Sequence, residues 1–416
     1  MTTDKKDRIL NAPDCGKVPN LRFPGFVEEW ASHPTTDFFE FKNGLNPEAK
    51  RFGTGTKFIS VMDILNNRYI TYDKIISSVI PKKGDLEDFG VNYGDILFQR
   101  SSETLEDVGR ANVYLDNKTA LFGGFVIRGK KKGDYDPLFF RYMLSSPYAR
   151  KRIVVKGAGA QHFNIGQDEL SKVELFVPSL DEQKRIGELF NLLDERIETQ
   201  SRAIEKLQSL MKGLNNYLQD HVEKEITLSF SEMGSDYSGL TGKTADDFGS
   251  GKPFIPYTNV YANTFIDEKN LGSVSVSEGE KQSKVQKGDV VFTLSSETPE
   301  EVCYGSVYWG EEKELYLNSF CFGVHITNEK VFPPYLAYFV NSNSFRKAVF
   351  HLAQGSTRYN LQKLDFLRKP FPFPSLENQK RIFLVLNAID KKMHVEQRIL
   401  ESYHQQMSFL LQQMFI

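Results

Sequence analysis

The chain has only three cysteines, Cys15, Cys303 and Cys321, scattered and unpaired in spacing. That excludes a disulfide framework and a paired-cysteine zinc site, and it points to a reducing, cytoplasmic setting. Long apolar runs are missing too. Nothing approaches the roughly 18 consecutive apolar residues that a membrane helix needs, so no membrane association is expected. The opening Met1-Thr2-Thr3-Asp4-Lys5-Lys6-Asp7-Arg8 lacks the apolar core of a signal peptide. Residues 1–20 read as a polar, flexible tail.

Catalytic signatures are equally scarce. There is no Gly-x-x-x-x-Gly-Lys-Ser/Thr phosphate loop and no His-Glu-x-x-His. The loops at Gly53-Thr54-Gly55 and Gly157-Ala158-Gly159 lack the third glycine of a dinucleotide fingerprint. Phe332-Pro333-Pro334-Tyr335 resembles the Asn/Asp-Pro-Pro-Tyr motif of amino-methyltransferases, but phenylalanine offers no polar acceptor for a target amine. The chain is expected to bind, with no metal or cofactor of its own, while another protein catalyses.

What the chain does have is an internal duplication. Pro178-Ser179-Leu180-Asp181-Glu182-Gln183-Lys184-Arg185-Ile186 returns 196 positions later as Pro374-Ser375-Leu376-Glu377-Asn378-Gln379-Lys380-Arg381-Ile382. The correspondence extends upstream. Gly94-Asp95-Ile96 and Ser101-Ser102-Glu103-Thr104 reappear at an offset of 194 as Gly288-Asp289-Val290 and Ser295-Ser296-Glu297-Thr298. Arg150-Lys151 and Asn164-Ile165 reappear at 196 as Arg346-Lys347 and Asn360-Leu361. Each copy reads as a mixed α/β globule ending in one long helix. Two similar globules suit a ligand with two half-sites, of which duplex DNA is the obvious one.

Net charge is −2, from 52 basic and 54 acidic residues, so any basic surface must come from how the charges are distributed. No acid occurs from Pro137 to Gln167, a span holding Arg141, Arg150, Lys151, Arg152 and Lys156. The matching span, Lys330 to Leu364, is also acid-free and holds Arg346, Lys347, Arg358 and Lys363. Two such gaps at equivalent positions predict two basic faces able to neutralise phosphates.

After each signature, apolar residues step by four and three. The first series is Ile186, Phe190, Leu193, Ile197, Gln200, Ile204, Leu207, Met211, Leu214, Leu218. The second is Ile382, Leu386, Ile389, Met393, Glu396, Leu400, Tyr403, Met407, Leu410, Met414. A strict seven-residue period predicts a coiled-coil seam, and an antiparallel pair would let Gln200 and Glu396, the lone polar steps, meet near the midpoint. Arg202 or Arg398 is the expected neutralising partner of Glu396. Ser179 and Glu182 have capping-box spacing; Asn378 replaces that glutamate, which predicts a weaker second cap. At about 1.5 Å per residue the seam from Ile186 to Leu218 is roughly 48 Å long, or about 14 base pairs of duplex at about 3.4 Å each.

Candidate DNA contacts cluster in two places per copy. Near the end of each globule stand Lys156-Gly157-Ala158-Gly159-Ala160-Gln161-His162-Phe163-Asn164 and Gln354-Gly355-Ser356-Thr357-Arg358-Tyr359-Asn360. Glycine lets backbone approach phosphate, while Gln, Asn and Arg have the geometry to read base edges. Asn164 and Asn360 are equally placed to cap a following short helix. The second place is Phe98-Gln99-Arg100-Ser101-Ser102, whose counterpart Phe292-Thr293-Leu294-Ser295-Ser296 lacks the Gln-Arg pair. Arg150, Lys151, Arg346, Lys347 and Lys252 complete the candidates. Lys130-Lys131-Lys132 reads as a solvated turn.

This organisation resembles the specificity subunits of type I restriction–modification systems, a host-defence family. The resemblance rests on Leu21-Arg22-Phe23-Pro24-Gly25-Phe26 with Trp30, Phe41-Lys42-Asn43-Gly44-Leu45, Gly94-Asp95-Ile96-Leu97-Phe98 and the paired signatures. It implies an α+β architecture: two pseudo-symmetric mixed α/β target-recognition domains separated by two long antiparallel helices forming a coiled coil. The corresponding boundaries are a tail at 1–20, recognition domains at 21–177 and 221–373, and spacer helices at 178–220 and 374–416. It further implies that each domain reads half of a split, asymmetric DNA site. Two methyltransferase subunits, carrying S-adenosylmethionine, would dock on the spacers, and restriction subunits would join with ATP and Mg. The helix starts near Glu182–Arg185 and Asn378–Arg381 are either docking contacts or solvated first turns. A different class, a protein-interaction scaffold with two heads on a coiled-coil rod, shares the repeat but does not require the matched basic spans.

Overall fold

The structure is a computed structural model and describes residues 17–159 and 161–416. Most of the expected tail, Cys15 included, lies outside the described residues. Its last four residues are tied down: Trp30 N–H donates to Lys17 O at 2.9 Å, and the neighbouring Leu21 N–H donates to Gln413 O at 2.9 Å. Among the described residues no helix is long and apolar enough to cross a membrane. The chain divides into two compact units, residues 1–201 with 398–416, and residues 202–397.

In the first unit, strands β1 (Phe39–Asn43), β2 (Ile96–Gln99), β3 (Ala111–Val113) and β4 (Val126–Lys131) form an antiparallel sheet in the order β1-β4-β2-β3. The central strand β2 is buried at every position, so Ile-Leu-Phe-Gln reads as a near-continuous apolar run without alternation. A smaller three-stranded sheet is built on Phe52–Ile59. Two short helices, Pro137–Met143 and Pro147–Val154, cover the larger sheet. Each opens with proline at its first position and a capping side chain before it: Asp136 Oδ1 accepts from Phe139 N–H at 2.7 Å, and Ser146 Oγ from Ala149 N–H at 3.3 Å. The core is aromatic, with Trp30, Phe39, Phe98, Phe139 and Phe140 all buried.

The long helix α1 (Leu180–His221) follows. Within the first unit it runs antiparallel to the end of the chain: Phe190 stacks on Phe415 at 5.6 Å, while Thr199 and Gln200 line one groove with Tyr403. Met414, Phe415 and Ile416 complete this core.

The second unit repeats the plan. Strands β5 (Gly234–Ser238), β6 (Val290–Thr293), β7 (Gly305–Val307) and β8 (Cys321–Ile326) pair in the order β5-β8-β6-β7, and a smaller sheet is built on Phe248–Ile255. Helices Pro333–Phe339 and Asn343–Phe350 precede the long helix α2 (Leu376–Gln413). Met211, Leu214 and Leu218 of α1 pack on the core that contains Ile382 and Leu386 of α2. The spacer helices therefore do not form a unit of their own; each compact unit takes in a stretch of both. Every seam position is buried or half-buried, including Ile197, Gln200, Ile204, Leu207, Ile389, Met393, Leu400 and Tyr403. Glu396 pairs with Lys392 one turn away on its own helix, a partner the sequence reading did not name.

The signature itself is explained by its glutamine. Gln183 Nε2 donates to Pro178 O at 2.9 Å and its Oε1 accepts from Asp136 N–H at 3.1 Å. Gln379 does the same and more: Nε2 reaches Pro374 O and Lys330 O, each at 2.9 Å, and Oε1 accepts from Phe332 N–H at 2.8 Å. Each glutamine thus fastens the start of a long helix to the start of the short helix after the sheet. The predicted capping box is not formed. Both Glu182 oxygens accept from Arg22, at 2.7 Å each, and the carboxylate is fully buried. The cap expected to be weaker is the one made, with Ser375 Oγ accepting from Asn378 N–H at 3.3 Å.

Candidate DNA interface

The two candidate clusters of each unit prove to be neighbours. Ala158 and Asn164 exchange backbone hydrogen bonds of 2.9 and 2.8 Å, closing the glycine loop into a hairpin. Its returning strand, Phe163–Asn164, pairs with Ser102–Ser101. In the second unit Ala353–Gln354 pairs with Leu361–Asn360, and Asn360–Tyr359 pairs with Ser295–Ser296. These registers coincide at the repeat offset. Gly159 and Gly355 carry φ of 144° and 149°. A Cβ there would meet the backbone oxygens of His162 and Arg358 at 1.9 and 2.0 Å, so the tight tip requires glycine.

Around the tips, Gln161, His162, Asn164, Arg358 and Asn360 are exposed and Tyr359 is half-buried. Lys151, Lys156 and Lys347 are exposed too. Neither asparagine caps a helix. Asn164 Oδ1 accepts from Ser101 Oγ, and the following helices start after Gly166 and Gln362. The structure leaves Arg100 half-exposed, its Nη1 3.4 Å from Gly124 O.

Three of the predicted contacts are corrected. Gln99 is only 6% exposed, at the end of the buried central strand, with Nε2 donating to Ser101 O at 2.8 Å; its amide braces the turn and does not face outward. Arg150 spends its guanidinium on the carbonyls of Gly109, Glu106 and Val108 at 2.8, 2.9 and 2.6 Å. Burial pushes its pKa down to about 10. Arg346 repeats this on Cys303, Glu300 and Val302 at 2.6, 2.6 and 2.5 Å. These arginines hold the turn that follows each Ser-Ser segment, so the acid-free spans are partly internal bracing. Arg141 is likewise turned inward, onto Arg68 O at 2.8 Å and Ser145 Oγ at 2.6 Å. Lys252, on the strand Phe248–Ile255, is exposed but engaged by Glu314. At the helix starts, Glu182, Gln183 and Gln379 are buried, leaving Lys184, Arg185, Lys380 and Arg381 outside.

Sequence reasoning missed the aromatic members of the site. Phe125 and Phe320 are 70% and 53% exposed, each on the turn entering the fourth strand of its sheet. Arg100 N–H donates to Phe125 O and Leu294 N–H to Phe320 O, both at 2.9 Å. That fixes each ring beside the Ser-Ser segment. The Arg358 guanidinium lies 5.3 Å from the centre of the Phe320 ring. In the second unit, Tyr257 and Tyr261 form a wall of parallel rings 6.1 Å apart. With Ser295, Ser296, Glu297, Glu301, Thr357 and Arg358 they bound a groove of about 660 Å³. The corresponding helix of the first unit presents exposed Met62 and Leu65 instead. A matched spacing of exposed phenylalanines, 195 positions apart, was the available signal.

An exposed hairpin tip beside an exposed phenylalanine, repeated on equivalent scaffolds and joined in the second unit by Arg358 and a tyrosine wall, is equipment for reading two unlike nucleic-acid segments. The comparisons with known proteins agree. The family model described as "Type I restriction modification DNA specificity domain" matches twice, over residues 27–209 and 239–402. Two specificity subunits of Methanocaldococcus jannaschii, those of the putative type I enzyme MjaX and of MjaVIII, are 23% and 25% identical. They align with 94% and 92% of this chain and 92% and 90% of their own lengths. The EcoKI specificity subunit of Escherichia coli K12 is 24% identical over 81% of this chain and 77% of its own. The fold matches the crystal structure of the type I restriction–modification S subunit from M. genitalium with a TM-score of 0.56 at 15% identity, covering 96% of this chain and 99% of that one. A structure from work on complex assembly and conformational transition of the type I system gives 0.57 at 14% identity, covering 95% and 97%. With the model matched in both copies, the chain belongs to the type I restriction–modification DNA specificity domain family.

Proposed function

We propose that the chain is the DNA-reading subunit of a type I restriction–modification complex and binds an asymmetric, two-part DNA site. The observation that carries this reading is the same assembly in both units, a glycine hairpin set beside a Ser-Ser segment and an exposed phenylalanine. Identical scaffolds with different tips, Gln161-His162 against Thr357-Arg358, fit two half-sites of different sequence. The chain itself would be non-catalytic. Two methyltransferase subunits holding S-adenosylmethionine would dock on α1 and α2, and restriction subunits using ATP and Mg would join them in the cytoplasm. The helices would then set the gap between half-sites. Against the scaffold alternative stands Arg358, whose donors make no hydrogen bond or ion pair among the described residues while its plane is held on Phe320.

The test is to express the chain with its methyltransferase partner and map modified adenines by sequencing. The reading requires a split motif. It further requires that exchanging residues 225–370 for those of another specificity subunit changes one half only. Methylation without a split motif, or a motif unaltered by the exchange, would refute it.

A further inference from the structure

The groove of the second unit carries an unusual feature for a DNA-facing surface, a free acid. Glu301 is already engaged: its oxygens accept from Tyr261 O–H at 2.7 Å and from Ser296 Oγ–H at 3.1 Å, which holds its carboxyl below the usual range and pushes the Tyr261 hydroxyl up to about 12. Glu297 lines the same groove, is exposed, and makes no hydrogen bond or ion pair among the described residues. Arg358 lines the groove too and likewise makes no hydrogen bond or ion pair among the described residues. Opposite charges that line one groove without pairing leave a complete acceptor set and a complete donor set for a ligand.

A carboxylate beside DNA is repelled by every nearby phosphate, so it lowers affinity unless it meets a donor. In the major groove the donor that Glu takes up is the cytosine N4 amino group, while Arg takes guanine O6 and N7. Resting on the two-half-site reading above, we propose that Glu297 and Arg358 together read a C·G pair, or two adjacent ones, in the half-site of the second unit. Glu297 accepts from the cytosine amino group and Arg358 donates to guanine. Tyr257 and Tyr261 form a wall of the groove; Glu301 fixes Tyr261 and the Ser295 carbonyl fixes Tyr257, whose hydroxyl donates to it at 2.7 Å, so the groove is formed before DNA arrives. Glu103 occupies the equivalent place in the first unit, where His162 replaces Arg358. The acid is thus common to both readers and its cationic companion is not.

The experiment is methylome sequencing of cells carrying the full complex with Glu297→Ala, Glu297→Gln or Arg358→Ala. Glu297→Ala should relax one G·C position of one half by about 10-fold in relative methylation, the low end of what a good base contact discriminates. Glu297→Gln, which suits adenine N6 and N7, should shift that position toward adenine. Arg358→Ala should relax a guanine at the same or the neighbouring pair. The unaltered other half serves as the check that each variant is folded and assembled; if the alanine variant does not assemble, the near-isosteric Gln variant decides. A uniform rise in methylation with the motif unchanged would mean that Glu297 only repels phosphate, and the assignment would fall. So would relaxation in opposite halves for Glu297 and Arg358. A wild-type complex with no split motif would instead sink the two-reader function itself.

Discussion

Replacing the signature glutamines with leucine, nearly their own shape, should destabilise the two units unequally. Gln379→Leu strands three backbone groups, Phe332 N–H, Lys330 O and Pro374 O, around a fully buried side chain. Gln183→Leu strands two, Asp136 N–H and Pro178 O. At about 1–2 kcal/mol per stranded buried group, the costs are about 3–6 and about 2–4 kcal/mol. Each unit holds one of the two tryptophans, close to the bond in question. Trp309 lies 6.5 Å from Phe332, and Trp30 lies edge-on to Phe139 at 6.0 Å, whose N–H is capped by Asp136. Urea titrations followed by fluorescence in Trp30→Phe and Trp309→Phe backgrounds therefore report one unit at a time. With a slope of about 3 kcal/mol per M, the midpoint should fall by about 1–2 M for Gln379→Leu and by about 0.7–1.3 M for Gln183→Leu. A shift under about 0.3 M in either unit, or a larger loss in the first unit, would refute the role given to these amides.

Arg150→Ala and Arg346→Ala should lower the melting temperature of their own unit and leave the salt dependence of DNA binding unchanged. Lys151→Ala or Lys347→Ala should do the reverse, reducing the slope by about 1 if a phosphate is touched. Gly109→Ala should destabilise the first unit by about 1–3 kcal/mol, because φ is +67° and the new Cβ would lie 2.6 Å from Ile153 Cγ2. Ile153→Ala, which removes that methyl, should couple to Gly109→Ala in a double-mutant cycle, leaving the double variant less destabilised than the sum of the two single changes. Glu280 is held down at about 2, chiefly by Lys243. A depressed carboxyl stabilises above its unfolded value and loses that contribution as pH falls, so the Lys243→Ala variant should show a shallower acid loss of stability between about pH 4.5 and 2. Inserting four residues into both α1 and α2 adds about 6 Å and should widen the gap in the methylated motif by about two base pairs with both halves unchanged.

The repeat, the two long helices and the neighbourhood of the hairpin tips were legible because periodicity and spacing are one-dimensional properties. The roles of the basic residues were not. Arg150-Lys151 and Arg346-Lys347 look alike as charges, yet the first of each pair is consumed by three carbonyls and the second is exposed. Both residues of each pair keep the repeat, so spacing alone could not tell the bracing arginine from the exposed lysine beside it. Gln99 misled for a similar reason. A polar residue at a strand end reads as exposed unless both faces of the sheet are known to be covered. Glu182 had capping-box spacing, but a buried bidentate bond to Arg22, 160 residues away in sequence, is the interaction formed, and no local pattern announces it.

The first unit is closed by Met414, Phe415 and Ile416 against Trp30 and Phe190, whereas the second is one continuous stretch of chain. During synthesis the order of completion is therefore inverted. The second reader has all its residues once position 397 has emerged, but the first, though made earlier, lacks part of its core until Met414–Ile416, just past α2, leave the ribosome. A chain released early would carry at most one finished reader, and with it no means of specifying a complete target.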